Sequence, residues 1–401
     1  MNSQGGTNYA GAGATTLTAL MPIIYEARDK VAREQVGLIT AATRDASEDQ
    51  AAVGQVVRSP VTQSVALVAI QPANVVPNTG GQTLLYKDLT ISNSYAAPIQ
   101  WTGEEQRAVG ANYDTVIRDQ FTQAFRSLDN TIEASLVTTM VAGASRATGT
   151  AGTSLFNTAG NFGDFGQANL ILDNNGCPAD DRRIVLGFKS YTNLVTLQTS
   201  LWKANEAGTD ELLRKGIINE VLGFKFHKSA QIDKNAHVIG NSTNTYRSDV
   251  SGSISTSGYV VGETSILMKT GSGTIVAGDV VTFAGDANLY VVASGCTTTA
   301  PIVLCAPGLQ KTLADNVAVT VGAAYTPNMV LHPTALMLAV RAPIMPAGGD
   351  AASAVQMVLD DVTGISYQVA EYKVYRQIHY EVGAAWGSAA NKSEFAALLL
   401  G

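Results

Sequence analysis

Asn112-Tyr-Asp-Thr-Val-Ile-Arg-Asp-Gln-Phe-Thr-Gln-Ala-Phe-Arg-Ser-Leu-Asp-Asn-Thr-Ile-Glu-Ala-Ser-Leu-Val-Thr-Thr-Met-Val-Ala-Gly143 is the stretch around which the rest of the chain is organised. Its apolar residues Ile117, Phe121, Phe125, Leu128, Ile132, Leu136 and Met140 fall three or four apart, so they share one face of a helix. Asn112 is placed to cap the start, Asp114 lies in the first turn where the dipole favours anions, and Gly143 is placed to end it. Such a helix is about 45 Å long at roughly 1.5 Å per residue, against a usual globular length of ~10–14 residues. Arg118, Asp119, Gln123, Arg126, Asp129 and Glu133 make the opposite face polar. One apolar stripe on so long a rod fits a spine lying across one side of a sheet; it equally fits a surface helix of a large α+β domain.

Upstream, two extended stretches flank a loop. Val61-Thr-Gln-Ser-Val-Ala-Leu-Val-Ala-Ile-Gln71 is rich in β-formers, and Thr83 to Trp101 alternates Leu89 and Ile91 with Asp88, Thr90 and Ser92. Pro72 to Gly81 between them has loop-tip composition. The pair reads as a long projecting hairpin. An isolated ribbon is marginal in water, so it needs a surface to lie on, in its own subunit or in the next. Further back, residues 1–16 are Gly, Ala, Thr and Asn and read as a mobile arm. Leu17 to Ala32 reads as an amphipathic helix with Leu20, Ile23, Ile24, Ala27 and Val31 on its apolar side and Pro22 near its start.

Downstream, Ile184 to Phe188 is a buried-strand candidate, Lys189 to Asn205 a helix, and Ile217 to His227 one or two strands. Residues 251–330 hold only six charged residues. Short β-runs recur there at Ser265–Met268, Val280–Phe283, Leu289–Val292, Ile302–Leu304 and Val317–Val321, with turns at Gly271-Ser-Gly273, Gly278-Asp279, Gly285-Asp286 and Pro307-Gly308. This pattern predicts an inserted small barrel or sandwich. His332-Pro333 then opens a helical turn leading to a strand ending at Pro343. Tyr372 to Val382 alternates and reads as one half-buried antiparallel strand under the spine helix, with Tyr372, Val374, Ile378, Tyr380 and Val382 on its inner face and Arg376 the exception there.

Charged residues make up 15% of the 401, below the usual quarter, and the net charge is −7. An acidic, charge-poor surface does not coat DNA by neutralising phosphates, and it opposes self-association weakly. Cys177, Cys296 and Cys305 form no disulfide framework; Cys296 and Cys305 are close enough in sequence to pair, and buried thiols are the plainer reading. The N-terminus has no basic region followed by an apolar run, and no stretch of eighteen apolar residues occurs. The expectation is a soluble protein made inside the cell, with no membrane partner.

No catalytic constellation emerges. His227, His237, His332 and His379 have no metal-ligand spacing, and neither a Gly-x-Ser-x-Gly elbow nor a phosphate loop occurs. Asp180-Asp181 and Asp360-Asp361 read as solvated turns or caps, since adjacent side chains diverge on a strand.

The order arm, hairpin, spine helix, mixed domain with β insertion, and closing strand resembles the major capsid proteins of tailed bacteriophages, especially short-tailed-phage coat proteins with an inserted β domain. Gly216-Ile-Ile-Asn-Glu-Val-Leu-Gly-Phe-Lys-Phe226 looks like the family's strand pair at the tip of the axial domain. Gly278-Asp-Val-Val-Thr-Phe-Ala-Gly285 resembles a strand of the inserted domain. Asn328-Met-Val-Leu-His-Pro-Thr-Ala-Leu-Met-Leu-Ala-Val-Arg341 resembles the return segment, with Leu331 where the family has Phe. The resemblance covers nearly the whole chain and rests on the order of elements more than on any one motif.

The resemblance implies an α+β capsid fold: N-terminal arm and helix (1–60), extended loop hairpin (61–103), peripheral domain with the spine helix (104–159), axial domain (160–250), inserted β domain (251–325), axial return (326–345) and peripheral C-terminal strand (346–401). It implies a structural protein rather than an enzyme, without cofactor or metal. Its partner would be itself, in the pentamers and hexamers of an icosahedral shell around double-stranded DNA held without sequence-specific binding. Scaffolding protein and portal, and in some relatives a decoration protein, would join it. Its location would be the virion capsid, after synthesis in the host cytoplasm. Intersubunit contact is expected of Leu85, Lys87, Leu89, Ile91, Trp101, Leu20 and Ile24. Some relatives crosslink a loop lysine to a neighbour's asparagine; Lys87 is placed for that, but the sequence identifies neither an acid catalyst nor a partner asparagine. A cellular nanocompartment shell around an enzyme shares the architecture, and the β insert favours the phage form. A hydrolase or binding protein with a β domain would need a pocket of converging polar groups, for which the sequence offers no candidate.

Overall fold

The quoted stretch folds as a single helix, Tyr113–Val141, of 29 residues, in a computed structural model that describes residues 22–24, 26–27, 37–61, 85–158, 163–197, 220–221, 223–241, 245–252, 258–360 and 363–401. No Gly or Pro interrupts it, and all seven apolar stripe residues are buried. Its ends differ from expectation. Asn112 makes no side-chain cap; a capping-boxed helix, Gly103–Val109, and the 3-10 turn Gly110–Asn112 lead into the spine instead. Gly143 serves close approach rather than termination, since a Cβ there would lie 2.4 Å from Ala390 Cβ. Asp129 and Glu133, assigned to the solvent face, are buried.

The spine helix lies on a six-stranded sheet ordered β1 (Thr43–Ala51), β18 (Leu336–Pro343), β21 (Gln377–Ala390), β20 (Ser366–Val374), β19 (Ala352–Leu359), with β4 (Asn93–Thr102) also on β21. The 14 residues of β21 let one strand hold three neighbours: β4 pairs along residues 377–386 on one edge, while β20 and then β18 share the other. Alternation sorts its two faces. Tyr380, Val382, Ala384 and Trp386 join the main core with the spine helix. Tyr380 packs on Phe121 at 5.7 Å and Trp386 Nε1 donates to Ser135 Oγ at 3.0 Å. Ala385 faces the other way. Each fully buried aromatic or aliphatic side chain of this core contributes about 1.5–3 kcal/mol over leaving it in water.

The single strand expected at Tyr372–Val382 is instead a hairpin. Val374 pairs with Gln377 across a two-residue turn in which Arg376 takes φ 58. The alternation keeps the same register on both sides of the turn, and the one break in it is Arg376, a charge at an apolar position. Likewise the described part of the stretch expected at Thr83–Trp101, from Leu85 on, is two strands. β3 (Leu85–Thr90) pairs with β2 (Val56–Val61), and after Ile91-Ser92 the chain crosses to β21 as β4. The hairpin base thus starts five residues earlier than expected. The rest of the 61–71 strand and the 72–81 tip lie outside the described residues, as do the arm and most of the Leu17–Ala32 helix; residues 22–24 and 26–27 are helical.

A second, twelve-stranded sheet runs β7 (Glu220–Val221), β8 (Phe224–Lys228), β6 (Arg182–Leu186), β17 (Pro327–Leu331), β22 (Ala396–Leu400), β5 (Arg146–Gly149), β13 (Leu289–Ser294), β15 (Pro301–Leu304), β10 (Ser265–Lys269), β9 (Arg247–Ser248), with β12 (Val280–Phe283) between β13 and β16 (Val319–Val321). A short pair, β11 (Thr274–Ile275) with β14 (Cys296–Thr297), completes the strands among the described residues. The helices Gly163–Asn174 and Phe188–Leu197 build a satellite core on the β6–β17–β22 end with Phe165, Leu172 and Leu194. All five β-runs read between 265 and 321 are strands. They enclose a separate core of Tyr246, Tyr259, Ile266, Phe283, Tyr290, Val292 and Ile302 among others. The β5–β13 pairing splices these strands into the larger sheet. All three cysteines are free and buried. The described chain is α+β.

Candidate assembly surface

The hairpin base lies on the sheet face opposite the spine helix. Leu89 and Ile91 pack with Ala51, Ala339 and Ala385, and Val57 and Met337 join at the margin. Small residues make the seat possible: a Cβ on Gly387 would lie 2.1 Å from Thr90 O. Alternation then sets which hairpin residues face out. Lys87, on the Leu89 side, is half-buried, and its Nζ donates to Asn391 O at 2.6 Å. Burial draws its amine below the usual lysine range, against the pull of Glu394. Tyr86 and Asp88 point to solvent, with Asp88 meeting Arg58 of β2 at 3.2 Å.

Of the residues expected at subunit contacts, four are covered by their own chain. Ile24 and Trp101 belong to the main core, and Leu89 and Ile91 to the hairpin seat. Trp101 stacks edge-on against Tyr113 at 5.2 Å and donates to Gln120 Oε1 at 2.6 Å. Within the single chain these four side chains are covered by the subunit itself, which supplies the surface under the base of the ribbon. Leu85 has only its backbone described, and Leu20 lies outside the described residues. The apolar side chains left in water are others. Tyr375, at the turn between β20 and β21, is 87% exposed, and Val374 and Tyr86 are exposed too. Edge strand β19 exposes Val355 and Leu359, and its residues Ala352–Leu359 carry no charge and no proline.

The chemistry-bearing residues are occupied in structural contacts. Asp279 is fully buried and accepts from His237 Nε2 at 2.8 Å, from Val276 N at 2.9 Å and from Gly240 N. Asp181 accepts from Arg183 and Lys225, both at 2.7 Å, and these bonds hold its carboxyl down at about 2. Asp360 is buried rather than solvated; it accepts from the Thr363 amide and hydroxyl. His332 opens the Pro333–Ala335 turn as expected, accepting from Thr334 N. Burial pushes His227 down to about 4. Among the described residues no three His, Cys, Asp or Glu side chains are grouped to hold a metal ion. A groove of about 890 Å³ between β4 and the spine helix has Asp119 as its one acidic lining residue and no His, Cys, Lys or Arg in its lining.

No family model matches the chain, and no curated protein matches it. Among solved structures it is similar to one titled Mycobacterium phage Che8, at 12% identity and TM-score 0.44 over 86% of this chain and 84% of that one. It is similar to the capsid structure of the cyanophage P-SCSP1u, at 12% identity and TM-score 0.42 over 90% and 86%. It is also similar to a virus-like particle from Pyrococcus furiosus, at 10% identity and TM-score 0.43 over 94% and 98%.

Proposed function

We propose that this chain is the major capsid protein of a tailed bacteriophage, a tile that self-assembles into an icosahedral shell around double-stranded DNA. The observation that carries the reading is the arrangement around β21. One long helix covers one face of the sheet, the base of a hairpin covers the other, and they follow each other in the chain in the order that the sequence resemblance requires. The ribbon strands leave that seat at Val61 and return at Leu85, so 23 intervening residues are available to reach beyond it. Exposed Tyr375, Val355 and Leu359 offer further apolar area at the sheet margin.

The tile acts by repetition. Each contact is weak, each copy makes several, and closure reinforces all of them. Pentamers and hexamers of this chain form the shell, with scaffolding protein and portal as assembly partners and a decoration protein as an optional addition. The net charge of −7 keeps the wall unattractive to DNA, so the genome is enclosed without sequence-specific binding. The chain does no chemistry of its own, and its place is the virion.

Negative-stain microscopy of the purified protein tests this: shells, rings or sheets are expected. Deleting residues 72–81 is expected to leave a folded subunit that assembles poorly. Compact monodisperse monomers of the intact chain at every salt and crowding condition overturn the shell, and normal particles from the deletion overturn the role of the ribbon.

A further inference from the structure

Among the described residues β4 pairs with one strand, β21, and its other edge faces no strand. Six consecutive β4 residues, Tyr95 to Gln100, line the groove against the spine helix. Alternating side chains do not all face one way, so the wall on that side is the backbone edge of the strand. Asn93–Thr102 carries no charged residue to blunt this edge, and Pro98 takes away one donor. The opposite wall is a stripe of the helix from Val116 to Thr131, about 22 Å long at 1.5 Å per residue. It presents Gln120, Gln123, Ser127 and Thr131, amides and hydroxyls that both donate and accept. Gln120 gives its Oε1 to Trp101 and keeps its amide hydrogens. Such walls suit an extended backbone better than a charged or a bulky apolar ligand.

One segment of the chain starts at the mouth of this groove. Residues 22–24 and 26–27 are docked beside it, with Ile24 and Ala27 fully buried and Glu26 meeting Arg118 at 3.2 Å. Arg118 also meets Asp119 at 3.5 Å, and Asp119 lines the groove. Residues 1–16 lie ahead of the Leu17–Ala32 stretch and reach about 50 Å when extended at ~3.3 Å per residue. The groove takes about seven residues at that rise. Residues 1–16 contain no Asp, Glu, Lys, Arg, His or Pro. They bring no side-chain charge to a groove whose single acid already holds Arg118, and each amide is free of the proline constraint on donation. Ala10-Gly-Ala-Gly-Ala14 is small enough to run past Ala97 and Ala124.

We propose that residues 1–16 occupy this groove in their own subunit, added as a strand along the outer edge of β4 and covering the polar side of the spine helix. The seated segment pairs with the outward amides and carbonyls of β4. It takes further hydrogen bonds from Gln123 and Ser127 where Pro98 leaves the edge without a donor. A neighbouring copy offers the same composition, but only the subunit's own segment is anchored beside the groove through Glu26 and Arg118. The inference concerns the single subunit and stands apart from the shell reading.

Hydrogen exchange of the full-length protein tests it, read on peptides covering 1–16, 93–102 and, as a control, 366–374. Amides within 1–16 should exchange about tenfold or more slower than in a free synthetic peptide of that sequence, by a factor that does not change on dilution. Ser127→Trp, at an exposed position on the groove wall, fills the channel and should return them to the free-peptide rate with 366–374 still protected. Removing residues 2–16 should speed exchange in 93–102 by a similar factor, again with 366–374 unchanged. Free-peptide rates for 1–16 in the intact chain overturn the proposal, as does unaltered exchange of 93–102 in the truncated chain. Protection of 1–16 that survives Ser127→Trp places the segment elsewhere and overturns it too. Protection lost on dilution gives the groove to a neighbouring copy and overturns the placement within one subunit. Should Ser127→Trp not fold, the truncated chain decides.

Discussion

Replacing Asp279 by Ala attacks the insert at its most satisfied carboxylate. The residue is fully buried, and its two oxygens serve His237 Nε2, the Val276 amide and the Gly240 amide. Removing it strands three donors, each worth about 1–3 kcal/mol when left unpaired in the interior. Water entering the vacated space relieves part of this, so a loss of about 3–6 kcal/mol is expected. That is a large part of the ~5–15 kcal/mol by which a domain is stable. The Val276–Asp279 turn connects to β12, and the Tyr325 hydroxyl bonds Gly278 O beside it, so the damage should start in the residues around the β12–β16 core. Urea unfolding measures the loss, and limited proteolysis locates it. DNA binding by fluorescence anisotropy serves as the control, because the carboxylate faces inward. Asp286→Ala, which frees the Tyr290 hydroxyl and Asn288, should cost less, about 1–3 kcal/mol. Unchanged stability together with a clear change in DNA affinity would refute the reasoning and turn these acids into a nucleic-acid surface.

Leu136→Ala in the spine should cost about 2–5 kcal/mol in urea unfolding, while Thr138→Ala on the outer side of the same turn should stay within about 0.5 kcal/mol. Asp181 has a folded value of about 2, below its ordinary carboxylate value, because Arg183 and Lys225 bond it. Its contribution is therefore present above the ordinary value and lost as pH falls toward 2. Asp181→Asn should flatten that acid limb, which an acid-unfolding curve followed by circular dichroism would read; a limb of unchanged depth would show that the two cations do not set it.

Periodicity carried the spine helix because a long helix over a sheet repeats the same burial every turn. Its seven stripe residues needed no partner to be named. The same holds for the five strands of the insert, each followed within a few residues by a glycine (Gly271, Gly285, Gly295, Gly308 and Gly322). The capping box Thr102/Glu105 is written in the sequence at its Thr-x-x-Glu spacing. The Tyr375-Arg376 turn is marked only by Arg376 interrupting the apolar face, since the register is the same on both sides and neither residue is Gly or Asn.

What the sequence by itself determined is local: which residues repeat with a helical or strand period, which stretches are starved of charge, and that no familiar catalytic spacing is present. Only the tertiary structure decided where those faces go. Leu89 and Ile91 look like an exposed ribbon until β18 and β21 supply Ala339 and Ala385 beneath them. Asp129 and Glu133 look like solvent charges until Tyr367 and the amides of Leu38 and Ile39 arrive from far along the chain. The physical reason is that a side chain's period is a property of its own element, whereas its burial and protonation belong to whatever the fold packs against it.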